Sequence, residues 1–437
     1  MLKSLIRKLV PENLINLYHK YLAVLSALIY GNPSDKMIVI GVTGTNGKST
    51  TVALIAKALE SGGHKVGYTS TVGFKVADKE WLNNKKMTML GRFQLQKLLK
   101  QMVDAGCRYA VIETSSQGIV QYRHLGINYD YVVFTNLTPE HIEAHKGFEN
   151  YKNAKGELFK HLTARPIKKI GVRKVEKTIV SNMDDEHSAF FLSFPADKKL
   201  TYSNHDHSAN VFANSIQVTN TGTSFNIGQT QINLQLLGAF NVYNSLVAVT
   251  IALEEGIELQ KIKQGLESVP LVPGRMELIN EGQDFTVLVD YCPEPYSMRK
   301  MYETVELMKK NKIIHVFGSC GGGRDVARRP VLGKLVGEKA DIAIITNEDP
   351  YDDNPETIID QVVAGALEAG KIMNQNLYKI QDRQEAIEKA LNLAQNGDLV
   401  LVTGKGAEQA MAVAGGKHIP WDDRRAIRES LKKAKIS

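Results

Sequence analysis

The chain has little cysteine: Cys107, Cys292 and Cys320 stand far apart with no pairing or metal-ligand spacing. That excludes a disulfide framework and a cysteine zinc site and fits a reducing, cytoplasmic setting. It also has no apolar run approaching the roughly 20 residues that cross a bilayer. Charge is not gathered into a tail, and the net charge of +7 is spread along the sequence. A diffuse excess of this kind favours anionic small molecules over nucleic acid as partners. In residues 1–35, Lys3, Arg7 and Lys8 precede an apolar stretch at 21–30, but Pro11, Glu12, His19 and Lys20 interrupt the pattern. A short helical segment packed on the main body is expected there, with weak membrane-surface contact as the other reading.

What is present is a soluble globular composition, 43% hydrophobic over 437 residues, too long for one ordinary core. The apolar run at 38–42 breaks into Thr43-Gly44-Thr45-Asn46-Gly47-Lys48-Ser49-Thr50, which reads as strand, loop and helix. Backbone N–H groups freed by the glycines can cradle phosphates, Lys48 can sit between the terminal ones, and Ser49 can reach Mg2+. Val42 stands where the usual nucleotide loop has glycine, so a plain turn between strand and helix is the competing reading. Strand and helix patterns then alternate through 66–69, 93–105, 109–112 and 131–134, which argues a parallel sheet. Ligands gather beyond the carboxyl ends of such strands. Glu113 and His141 follow strand ends and are candidate metal ligands, or else a turn carboxylate and a loop histidine. Lys155, in a helical pattern, reads by composition as a solvated lysine.

The loop, Glu113-Thr114-Ser115-Ser116, Thr135-Asn136-Leu137 with His141, and Ala154-Lys155 before Leu158-Phe159 together resemble the ATP-dependent Mur ligases, and within them the MurE type. Gly238-Ala239-Phe240-Asn241-Val242-Tyr243-Asn244, Pro273-Gly274-Arg275-Met276-Glu277 and Asp290-Tyr291 continue the resemblance. It implies an α/β fold: a short helical segment over 1–35, a central P-loop ATPase domain with a mostly parallel sheet over 36–273, and a Rossmann-like domain over 274–437. It also implies a ligase that uses ATP and Mg2+ to convert an acceptor carboxylate into an acyl phosphate, which an amino-acid amine then attacks. Gly44, Thr45, Asn46, Gly47, Lys48, Ser49 and Thr50 would bind the phosphates, Asn241 and Asn244 the adenine, Arg275 the nucleotide and Asp290 the ribose. Ser49 and Glu113 would hold one metal; His141 and a carbamylated Lys155 would serve a second.

On the acceptor side the resemblance assigns Ser115, Gln121 and Arg123; on the amino-acid side it assigns Arg329, Glu348, Asp349, Tyr351, Gly404 and Glu408. Departures cluster in these parts. The family's sugar-nucleotide domain before the loop is expected to be missing, and its Thr-Thr-Pro motif is Thr88-Met89-Leu90. The Asp-Asn-Pro-Arg signature of diaminopimelate-adding members is Glu348-Asp349-Pro350-Tyr351, which loses a bidentate clamp for a carboxylate. Pro293 and Ala407 replace two family histidines. An amino acid other than meso-diaminopimelate is expected, such as lysine or another diamino acid paired with Glu408. Two alternatives stay open: a ligase making another amide product, cyanophycin-like or polyglutamate-like, and a partner-dependent homologue without activity of its own.

Overall fold

A computed structural model describes residues 11–140 and 142–434. Helix α1 (Glu12–Ile29) lies on the body through Ala23, Ser26 and Ala27 and turns Leu14, Leu17, Tyr18, Tyr21, Val24 and Leu28 outward. Among the described residues no helix is long and apolar enough to cross a membrane.

Buried, near-continuous apolar runs form the first sheet, because helices cover both of its faces. Its strands are β1 (Ile38–Thr43), β2 (Val66–Thr69), β3 (Gly73–Val76), β4 (Lys79–Leu82), β5 (Tyr109–Glu113), β6 (Tyr131–Phe134), β7 (Thr178–Asn182), β8 (Lys198–Ser203) and β9 (Val211–Phe212). They run in the order β9-β8-β7-β6-β1-β5-β2-β3-β4, parallel from β9 to β2, with β3 and β4 added antiparallel. Helix α2 (Lys48–Ser61) leaves the end of β1, α3 (Arg92–Asp104) precedes β5, and α4 (Phe148–Thr163) follows β6. Because β1 lies between β5 and β6, the order reverses at its carboxyl end, where a crevice opens. The polar stretch at 201–237 supplies β8, β9 and a separate antiparallel sheet of β10 (Asn214–Val218), β11 (Thr223–Ile227) and β12 (Thr230–Leu234). Helix α5 (Phe240–Glu254) then packs along α2 with most of its residues buried.

A second sheet comprises β13 (Glu277–Ile279), β14 (Thr286–Asp290), β15 (Ile313–Phe317), β16 (Ile342–Ile345), β17 (Leu377–Lys379) and β18 (Leu399–Thr403), in the order β13-β14-β18-β15-β16-β17. All its pairings are parallel except β13 with β14. Helix α6 (Pro295–Glu306) follows β14, α7 (Arg328–Lys339) follows β15 and α8 (Pro355–Glu368) follows β16. Each sheet has its own apolar core on both faces.

Beneath the first sheet Asp130 is fully buried, with Oδ2 2.6 Å from Lys168 Nζ and Oδ1 3.4 Å from Lys177 Nζ, and it accepts the Val39 N–H at 2.8 Å. Asp130→Ala leaves two buried ammonium groups without their counter-charge, so it should cost about 3–5 kcal/mol. A urea midpoint equal to that of the unaltered chain would refute this role.

Candidate functional site

The phosphate loop is held by the end of β6. Asn136 accepts the Thr45 N–H at its backbone oxygen and the Asn46 N–H at Oδ1, both at 2.8 Å, while Thr135 Oγ1 donates to Asn46 O at 2.9 Å. Two positive-φ glycines allow this close seating: a Cβ on Gly44 would collide with Thr135 Oγ1, and one on Gly47 with Asn244 Oδ1. Gly47 then caps α2, whose N-terminal N–H groups and dipole face the crevice. Lys48 folds back to donate to Thr45 O at 2.6 Å.

Glu113, at the last position of β5, is buried and satisfied by neutral donors. Ser49 Oγ donates to its Oε2 at 2.7 Å, Thr71 N–H to the same atom at 2.8 Å, and Thr71 Oγ1 to Oε1 at 3.0 Å. Sequence reasoning missed Thr71; the signal was its place two residues past β2, another parallel strand ending on the crevice. His141 lies outside the described residues. Among the described residues no group of three or more His, Cys, Asp or Glu side chains gathers as a metal cage.

Lys155 is no solvated helix lysine. It is 1% exposed and donates to Gly44 O at 2.8 Å, directly under the loop, with its ammonium 4.4 Å from the centre of the Tyr151 ring. Burial, and then the nearby Lys48, pull its pKa well below the ordinary lysine range, against weaker opposition from Glu140 and Glu113. The same burial favours the neutral, nucleophilic form of the amine.

A cavity of about 1160 Å3 opens between the two sheets. The phosphate loop, Glu113, Ser115, Lys155, Arg123, Asn241, Asn244, Arg275, Asp290 and Tyr351 all line it. Asn244 donates to Asn241 Oδ1 at 2.9 Å and accepts from Thr51 Oγ1 at 3.1 Å, which fixes both amides on α5. The Arg275 guanidinium lies over the Tyr291 ring at 4.4 Å. Asp290 ends β14 and accepts the Met276 N–H at 3.1 Å; burial raises its pKa, and Arg275 opposes this. The two sides of the cavity are clasped: Asn46 Nδ2 donates to Glu294 Oε1 at 3.0 Å, and Asp325 accepts the N–H groups of Ile142 and Glu143 at 3.2 and 2.9 Å.

Other expected site residues lie elsewhere. Gln121 does not reach the cavity; its Oε1 accepts from Arg123 at 2.6 Å and so braces that arginine. Arg329 faces away, donating to Gln361 Oε1 at 2.7 Å and Cys320 O at 3.0 Å, because the turn of α7 aims the preceding Arg328 inward instead. Glu348 is buried beside Cys320, accepting from its Sγ at 2.8 Å, and Gly404 packs on it with φ of 108°. Asp349, Tyr351 and Glu408 do meet, with Arg324 and Arg328, around a second cavity of about 80 Å3.

The chain is similar over residues 42–252 to the Mur ligase middle domain and over 274–406 to the Mur ligase, glutamate ligase domain. It is 39% identical over 423 residues to a UDP-N-acetylmuramyl-tripeptide synthetase of Roseiflexus sp., covering 94% of this chain and 81% of that one. It is 37% identical over 430 residues to a UDP-N-acetylmuramoyl-L-alanyl-D-glutamate--2,6-diaminopimelate ligase of Geobacillus kaustophilus, covering 97% and 84%. A solved structure of a ligase of that second name superposes with a TM-score of 0.61 at 28% identity, covering 98% of this chain and 84% of the other. The fold is shared more widely, for instance with folylpolyglutamate synthase of Mycobacterium tuberculosis at 15% identity and a TM-score of 0.68. With both domain models matched in order across most of its length, the chain belongs to the Mur ligase family of ATP-dependent ligases, which join an acid to an amino acid.

Proposed function

We propose that this ligase phosphorylates the terminal carboxylate of a muramoyl peptide and couples it to the amine of an amino acid other than meso-diaminopimelate. The carrying observation is that Lys48, Glu113, Lys155 and Asn244 share one cavity with Arg123 and Tyr351. One crevice can therefore hold nucleotide, acceptor and amine in contact. We also propose a division into a segment at 1–35, a central domain at 36–273 and a last domain at 274–437; the separate cores of the two sheets support the distinction between the last two.

An acceptor carboxylate oxygen attacks the terminal phosphorus of ATP, ADP leaves, and the amine then displaces phosphate from the acyl carbon. Such phosphoryl transfer depends on positioning and charge neutralisation more than on covalent help from the protein. Lys48 is placed to exchange Thr45 O for a phosphate oxygen, and the α2 N-terminus supplies further donors. Asn241 and Asn244 would take the adenine, and Asp290 with Arg275 the ribose and nucleotide. Ser115 and Arg123 would orient the acceptor.

Ser49 Oγ and Glu113, an all-oxygen pair 2.7 Å apart, fit Mg2+ and would hold it beside the phosphate loop. When bound, Mg2+ supplies positive charge to the phosphate oxygens. The buried amine of Lys155 fits addition of CO2, which converts it into a carbamate anion beside the same loop.

Phosphate release with ATP, Mg2+, UDP-muramoyl-dipeptide and a panel of amino acids tests the reading. Release should require both acceptor and amino acid, with diaminopimelate among the poorer donors. Turnover that is indifferent to the amino acid, or fastest with diaminopimelate, would contradict it.

A further inference from the structure

Lys86 belongs to the loop between β4 and α3, yet its side chain crosses to the other half of the molecule. Its Nζ lies 2.6 Å from Asp349 Oδ2, 2.8 Å from Glu408 Oε2 and 3.0 Å from Ala410 O, and its side chain is 6% exposed. The loop is built to deliver it. Asn83 Nδ2 ties Ser70 O and Met87 O at 2.8 and 3.0 Å, and Lys86 itself sits at φ 49°, a left-handed conformation uncommon for a residue other than glycine.

Lys405, itself buried, contacts the same two carboxylates, at 2.9 and 3.0 Å to Asp349 and 2.5 Å to Glu408. Two carboxylates and Lys405 leave one negative charge over, and Lys86 cancels it. Burial drives the Asp349 and Glu408 carboxyls up, but the two lysines outweigh it and hold both below their ordinary range. Lys86, Asp349 and Glu408 border the small cavity, with Lys405 behind them, and its other charged lining residues are Glu140, Arg324 and Arg328.

This corrects one expectation from the sequence. Glu408 does not stand open to the side-chain amine of a diamino acid, because two lysine ammonium groups already share its Oε2. We propose that Lys86 is a specificity-determining residue, whose ammonium competes with a side-chain ammonium of the incoming amino acid for the place between Asp349 and Glu408. Tethered on a short loop, Lys86 competes at an effective concentration in the millimolar range or above. An amino acid without a side-chain amine meets no such competitor, so the choice of substrate tilts towards that class.

The proposal rests on the ligase reading above, but its test needs no turnover. L-ornithine and L-alanine are titrated calorimetrically onto the full chain, with a non-hydrolysable ATP analogue and Mg2+ present, for the unaltered protein and Lys86→Met, Lys86→Gln and Lys86→Arg. Both neutral variants should bind ornithine about ten-fold more tightly or better, with alanine binding little changed. Lys86→Arg should stay near the unaltered protein. Ornithine affinity that is equal in all four, undetectable binding included, or weaker in the neutral variants, overturns the proposal. An absence of ligase activity in the unaltered chain would instead strike the functional reading and leave this comparison legible.

Discussion

Lys48→Ala should abolish ADP formation, lowering turnover on the order of 10²–10³-fold or more, since one preorganised charged donor on a transferring phosphoryl group is worth that much. The side chain's hydrogen bond in the structure is to Thr45 O, and the lysine is only half-buried. Thermal stability should therefore change little, which separates loss of chemistry from loss of fold. ATP turnover that persists and still depends on the amino acid would show that Lys48 does not neutralise the phosphates.

Lys155→Met should be equally severe for activity, about 10²-fold or more if the carbamate supplies one anionic group that the reaction needs. The substitution removes a buried amine and leaves Gly44 O without its partner, a stability cost of about 1–3 kcal/mol. The discriminating readout is CO2. Carbamylation requires the neutral amine, the form that the burial of Lys155 favours. The unaltered enzyme stripped of CO2 should lose activity and regain it with bicarbonate, whereas Lys155→Met should ignore bicarbonate. An unaltered enzyme indifferent to bicarbonate would leave Lys155 as a structural support of the loop.

The local parts of this molecule were legible in its sequence. A glycine-lysine-serine loop after an apolar run, and a carboxylate at a strand end, carry their chemistry within a few residues. Their positions at β1 and β5 follow from strand-helix alternation alone. What the sequence did not disclose is set by tertiary packing. The strand end before Thr71 points it at the crevice, but nothing in the sequence pairs it with Glu113, 42 residues away, or Asn46 with Glu294, 248 away. The choice between Arg328 and Arg329 turns on the phase of α7, where a one-residue step rotates a side chain by about 100°. Lys155 shows the same limit from the other side. Its helical setting reads as solvated, and only the seating of α4 against the loop buries it.

The most direct test follows the oxygen atoms. Supplied with an acceptor peptide carrying 18O in its terminal carboxylate, the enzyme should release inorganic phosphate with one 18O atom per turnover, in step with ADP and with the lengthened peptide seen by mass spectrometry. That transfer is required if the carboxylate is phosphorylated before the amine attacks. Product formation with all label retained in the peptide or found in water would contradict an acyl phosphate and, with it, the roles of Lys48, Glu113 and Lys155 in forming one.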